Sequence, residues 1–131
     1  MEWINSYLSC RYEDGARGPE RFDCWGMVRD ARHRHMGKRL LPSWGHVRNT
    51  EPKEFTRAYR AESEHMEVCR AEPGAIAAVM RGPICTHVAL VVEVSGRLRV
   101  LEINPTRGAR CLPLAQWEQD HNAVIYYRDR E

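Results

Sequence analysis

Apolar residues in the first half of the chain recur with the period of a helix. Trp3, Ile4, Tyr7 and Leu8 follow an i, i+1, i+4, i+5 spacing, which predicts a short amphipathic helix. A polar, glycine-containing stretch over 13–21 reads as a loop. The run Phe22-Asp23-Cys24-Trp25-Gly26-Met27-Val28 then leads into a second helix. Asp23 is suited to cap its N-terminus and Gly37 to stop it. Residues 40–49, with Pro42 and Gly45, read as another loop. Thr50-Glu51-Pro52 predicts a third helix start, with Thr50 as cap and Phe55, Ala58 and Tyr59 on the apolar face.

From residue 66 the period shortens to that of strands. Met66–Cys69 is a short strand candidate, Pro73-Gly74 a turn, and 75–80 an apolar run that reads as buried. Residues 87–94 and 97–104 are β-branched runs joined by Ser95-Gly96, which suits a two-residue hairpin turn. Further strands are expected over 108–112 and 123–127, with a helical turn over 114–119 between them. Helices first and an antiparallel sheet second predict an α+β domain. The chain has 131 residues and no internal repeat or linker, so the expectation is one domain over 1–131.

Composition narrows the function classes. Twenty Lys and Arg against eighteen Asp and Glu leave a net charge of +2, which argues against a dedicated nucleic-acid binder. No run approaches the roughly 18 apolar residues of a membrane span. The start Met1-Glu2-Trp3-Ile4-Asn5 lacks the basic and apolar segments of a signal peptide, so synthesis in a reducing cytoplasm is expected. All but Lys38 and Lys53 of the basic residues are arginines; they are scattered, and a solvated surface with codon bias is the expected reading. Five cysteines (Cys10, Cys24, Cys69, Cys85 and Cys111) form no C-x-x-C pair and no even set, which disfavours a disulfide framework or a zinc ribbon. One of them is then free to be a working thiol.

Cys24 is the distinctive one. It lies just inside a predicted helix start, where unpaired amides and the helix dipole favour an anion and are expected to lower a thiol's pKa. His87 opens the first strand of the predicted hairpin, a place where an imidazole can meet that thiol. With Ser95-Gly96 as the turn, His87 faces Asn104 and Ala89 faces Glu102, so both polar side chains share the histidine's face. Either could orient the ring and fix its tautomer. His33, His35 and His46 with Cys10 make a poor metal set, because His33 and His35 point to different helix faces. Trp44 and Trp117 read as core or loop anchors.

The run Phe22-Asp23-Cys24-Trp25-Gly26-Met27-Val28-Arg29 resembles the nucleophile motif of the NlpC family of papain-like cell-wall cysteine peptidases, and more narrowly its phage-tail branch. Glu72-Pro73-Gly74-Ala75 resembles that family's Pro-Gly-Asp turn, and Thr86-His87-Val88-Ala89-Leu90-Val91-Val92 its histidine strand. The likeness runs from about Tyr7 to Tyr127. It implies a papain-like fold with the Cys24 helix packed on an antiparallel sheet. It implies cleavage of peptidoglycan stem peptides at the bond linking D-glutamate to a diamino acid, with Cys24 as nucleophile and His87 as base. Tyr12, Asp23 and Trp25 would line the substrate site, with Tyr12 helping the oxyanion region. No metal or organic cofactor is implied. The implied setting is a phage or prophage tail, among other tail proteins, acting on the bacterial wall. Two positions depart from the pattern: Ala75 replaces the aspartate, and no histidine stands in the third catalytic place, where Glu102 fits by register and Asn104 by cross-strand pairing. Two alternatives follow: an inactive relative serving tail assembly or wall binding, and a papain-like amidase or acyltransferase on another substrate.

Overall fold

The computed structural model describes residues 2–45, 47 and 51–130, so the expectations for His46 and for Thr50 as a cap lie outside the described residues. The architecture is α+β. Elements run α1 (Glu2–Leu8), β1 (Arg11–Tyr12), β2 (Arg21–Phe22), α2 (Cys24–Met36), α3 (Pro52–Ser63), β3 (Met66–Cys69), β4 (Ile76–Arg81), β5 (Ile84–Val94), β6 (Arg97–Asn104), β7 (Gly108–Pro113), α4 (Leu114–Gln119) and β8 (Val124–Asp129). Six strands form one antiparallel sheet in the order β3-β8-β4-β5-β6-β7. β1 and β2, at either end of the loop read from sequence over 13–21, form a separate parallel pair. In α3 the position before the helix is Glu51, with no side-chain capping bond, and Pro52 leads the helix.

The helices α1, α2 and α3 pack on the sheet through β5, β6 and β7. The main core joins Ile4 and Tyr7 of α1, Met27, Val28 and Ala31 of α2 and Phe55 of α3 to Val88, Leu90, Val92, Leu101 and Ile103. A smaller cluster (Ala77, Val79, Ala89, Val100 and Trp117) is closed by α4. With both faces covered, β5 is buried without interruption from Val88 to Val92, which explains why its sequence is a continuous apolar run. The β5–β6 turn is made by Ser95 and Gly96, both at positive φ (52° and 77°), the mirror-image turn that matches strand twist.

Several arginines are structural, which corrects the reading of them as solvated surface. Arg32 of α2 is fully buried and donates to the Gly74 carbonyl (3.0 Å) and to Asp129 (3.0 Å), tying the helix to the turn before β4 and to β8. Arg39 bridges Asp129 and the buried Glu62 of α3. Glycine is required at Gly26 by a close approach: a Cβ there would lie 2.4 Å from the Ala16 carbonyl oxygen. That oxygen belongs to the loop laid over the start of α2, so the conflict is with backbone and cannot be relieved by a rotamer change. Gly26→Ala is therefore expected to destabilise the fold by about 1–3 kcal/mol, read as a lower urea midpoint with an unchanged m-value. An unchanged midpoint would show that the loop does not sit as closely as described.

Candidate active site

Asp23 begins the site. Its backbone is extended, and its side chain accepts from the Gly26 amide (2.7 Å), the N-cap arrangement read from sequence. The same carboxylate accepts from the Gly15 amide (3.1 Å) and from Arg17 Nη1 (2.7 Å). Arg17 in turn donates to the carbonyls of Ser43 (2.6 Å) and Trp44 (2.9 Å). Trp25 is buried, stacks on Trp44 with ring centroids 4.6 Å apart, and donates from Nε1 to the Pro42 carbonyl (2.8 Å). Asp23 and Trp25, expected from the resemblance to line a substrate site, thus have their polar atoms engaged in holding loops against α2. Tyr12 sits half-buried on β1, paired with Phe22, and β1 packs against β6 and β7.

Cys24 is the first residue of α2 and is 1% exposed. Burial dominates its electrostatics and pushes the thiol well above its ordinary range. The amides of Val88 and Trp25 pull the other way, and the neighbouring Asp23 and Cys85 add to the rise. The expected lowering by the helix start is therefore corrected: the amides are present, but removal from water outweighs them. Cys85, also buried, is pushed up to about 12 by burial. Its Sγ lies 3.6 Å from the His87 carbonyl.

The histidine strand carries a bulge. β4 pairs Val79 with His87 and Met80 with Cys85, which leaves Thr86 as an extra residue on β5. On the other side, β5 and β6 pair in the register expected from the turn, but only as far as Leu90 opposite Leu101. The expected facing of His87 with Asn104 lies past the end of that ladder. His87 Nε2 instead donates to Glu102 Oε1 (2.8 Å). Asn104 turns away, its Oδ1 accepting from the amides of Thr106 (3.0 Å) and Arg107 (2.7 Å) in the turn before β7. Of the two candidates for the third place, Glu102 is the one in contact with the ring.

Glu102 is enclosed, with a side chain 1% exposed against 14% for His87. Trp117 Nε1 donates to the same Oε1 (2.8 Å), and Arg110 Nε to Oε2 (2.6 Å). Burial opposes its charge, yet the bonds from His87, Trp117 and Arg110 prevail and hold the carboxyl down at about 2. Sequence reasoning did not connect Trp117 and Arg110 to this carboxylate. The available signal was the β6–β7 register, which sets Glu102 directly opposite Arg110. Among the described residues no hydrogen bond joins Cys24 to His87; the contact between their segments runs through the Val88 amide at the thiol.

No protein-family model matches the chain, and no curated protein matches it. The site stands on its own chemistry. Its elements are a thiol at a helix start, an imidazole with Nε2 committed to a carboxylate, and a charged clamp behind that carboxylate. Among the described residues there is no cluster of three His, Cys, Asp or Glu arranged to hold a metal. His33 and His35 diverge, His33 Nδ1 bonding the Lys38 carbonyl and His35 stacking on Trp3.

Two outcomes follow. Because the Glu102 carboxyl lies at about 2, below its ordinary 4.5, its ionisation stabilises the fold above about pH 4.5, and that stabilisation is lost as pH falls toward 2. Glu102→Gln is expected to cost about 3 kcal/mol at pH 7 by urea titration, with the gap to wild type closing toward pH 2. An equal gap at pH 7 and pH 2.5 would contradict the assignment. Buried thiols react slowly, so peptide mapping after iodoacetamide treatment at pH 7.5 should show less labelling at Cys24 and Cys85 than at Cys10, Cys69 and Cys111. Preferential labelling of Cys24 would mean that its thiol is activated despite its burial.

Proposed function

We propose that this chain is a papain-type cysteine peptidase acting on peptidoglycan stem peptides. The observation that carries the reading is the His87–Glu102 pair, set one residue from the Val88 amide that faces the Cys24 thiol. With Nε2 donating to Glu102, Nδ1 is the nitrogen left to accept a proton. In the reaction, the Cys24 proton passes to His87 Nδ1 and the sulfur attacks the substrate carbonyl carbon. The resulting oxyanion meets the Cys24 amide, which as the first of the helix has no intrahelical acceptor; the resemblance implies help from Tyr12. His87 returns the proton to the leaving amine, and water then hydrolyses the thioester. Because Cys24 is sealed from solvent, a substrate reaches the sulfur only when the groups packed over it move.

The substrate class comes from the resemblance of the Cys24 and His87 segments to the NlpC family, and so does the bond, D-glutamate to a diamino acid. The same resemblance supports a role on a phage or prophage tail, where neighbouring tail proteins would carry the domain to the wall. A non-catalytic relative serving tail assembly or wall binding is the second reading. It is favoured by the burial of Cys24 and by the missing Cys24–His87 bond.

Purified peptidoglycan separates the two. The peptidase reading expects soluble fragments from wild type and none from Cys24→Ala, with a new D-glutamyl carboxylate at the cut by mass spectrometry. A different new end group would instead mark an amidase. Sedimentation of the protein with the wall but no release by wild type, over pH 6 to 9, would favour the binding module.

A further inference from the structure

We propose that Trp117 and Arg110 are positioning residues, a two-sided clamp on Glu102 that commits His87 to donating from Nε2 and so leaves Nδ1 as the basic nitrogen. The inference rests on the reading of His87 as the general base. Glutamate is a poor orienter by itself, since its carboxyl group swings on three torsions. Here it is held from two independent elements. Trp117, fully buried on α4, reaches Oε1 (2.8 Å), and Arg110, cross-strand on β7, reaches Oε2 (2.6 Å). Arg110 is itself steadied by Asp120 at 4.0 Å, just after α4, so the two arms share a foundation.

The chemistry of the clamp sets the direction of the His87 bond. Indole and guanidinium nitrogens only donate. Both Glu102 oxygens are therefore required to accept, and a carboxylate so engaged offers His87 an acceptor and never a proton. Of the two neutral tautomers, only the one with hydrogen on Nε2 satisfies the 2.8 Å contact. Remove either arm and Glu102 is free to rotate or to take up a proton, and the ring loses its reason to prefer one nitrogen. Proximity alone also distinguishes the clamp from general core packing: Trp117 and His87 share one oxygen atom.

Nitrogen-15 NMR of histidine-labelled protein tests this without reference to activity. In wild type, neutral His87 should be a single Nε2–H tautomer, its proton close to the Trp117 Nε1 proton by NOE. Trp117→Phe and Arg110→Gln should each produce a mixture of tautomers, with Arg110→Lys intermediate. Peptidoglycan hydrolysis by the same variants should fall in kcat by roughly tenfold at constant KM, part of the about 10²–10⁴ that a positioned base supplies. A pure Nε2–H tautomer in both Trp117→Phe and Arg110→Gln would overturn the proposal, whatever the rates. Should neither variant fold, absence of the His87–Trp117 NOE in wild type would overturn it equally. A tautomer shift in the variants, with no hydrolysis by wild type, would support the clamp and reject the peptidase reading.

Discussion

The Asp23 carboxylate joins three parts of the chain that share no secondary structure. One oxygen receives the amide that opens α2, the other receives Gly15, and Arg17 clasps the group from the loop side while holding the Ser43 and Trp44 carbonyls. The start of α2, and with it the thiol, inherits its position from this knot. It sets where the helix begins, and so where the Cys24 sulfur lies against Val88. It also draws the Ala16 carbonyl so close that position 26 admits only glycine. The Asp-Cys-Trp-Gly run thus divides its labour: a cap, a thiol, an anchor to the Pro42 segment, and a gap for the loop.

Two buried acids within this small domain are treated in opposite ways. Glu102 is surrounded by three donors and stays charged, so its burial is offset by directed bonds. Cys24 has only backbone amides to offset its burial, and the neutral thiol prevails. The contrast leaves a charged carboxylate against the imidazole and a neutral thiol at the start of α2.

How much of this was legible in the residues depended on range. Asp23 and Gly37 bracket α2 as read, because capping is decided within a turn of helix. Ser95-Gly96 set the β5–β6 register for a similar reason. The choice between Glu102 and Asn104 was not decidable that way, since it lies past the end of the ladder, where the Thr86 bulge and the Asn104 turn redirect both strands. The role of Trp117 and Arg110 requires α4 docked and β7 paired, neither of which is a local property. The state of the Cys24 thiol was misjudged for the same cause: a helix start predicts amides, but what lies over it is set by residues far along the chain. Arg32 likewise shows nothing in sequence of its bonds to Gly74 and Asp129.

The place of β8 in the sheet has a consequence for how the chain comes together in time. It is the last strand in chain order, yet it lies inside the sheet, between β3 and β4, and β3 has no other strand partner. During synthesis, the hairpins of β4, β5, β6 and β7 can zip as they emerge, each beside a neighbour already made. β3 must wait. Only when residues 124–129 leave the ribosome can it enter the sheet, and Asp129 then meets Arg32 and Arg39 in the same event. The ordering of α2 and α3 around that carboxylate thus waits on a residue 90 positions further along the chain than Arg39.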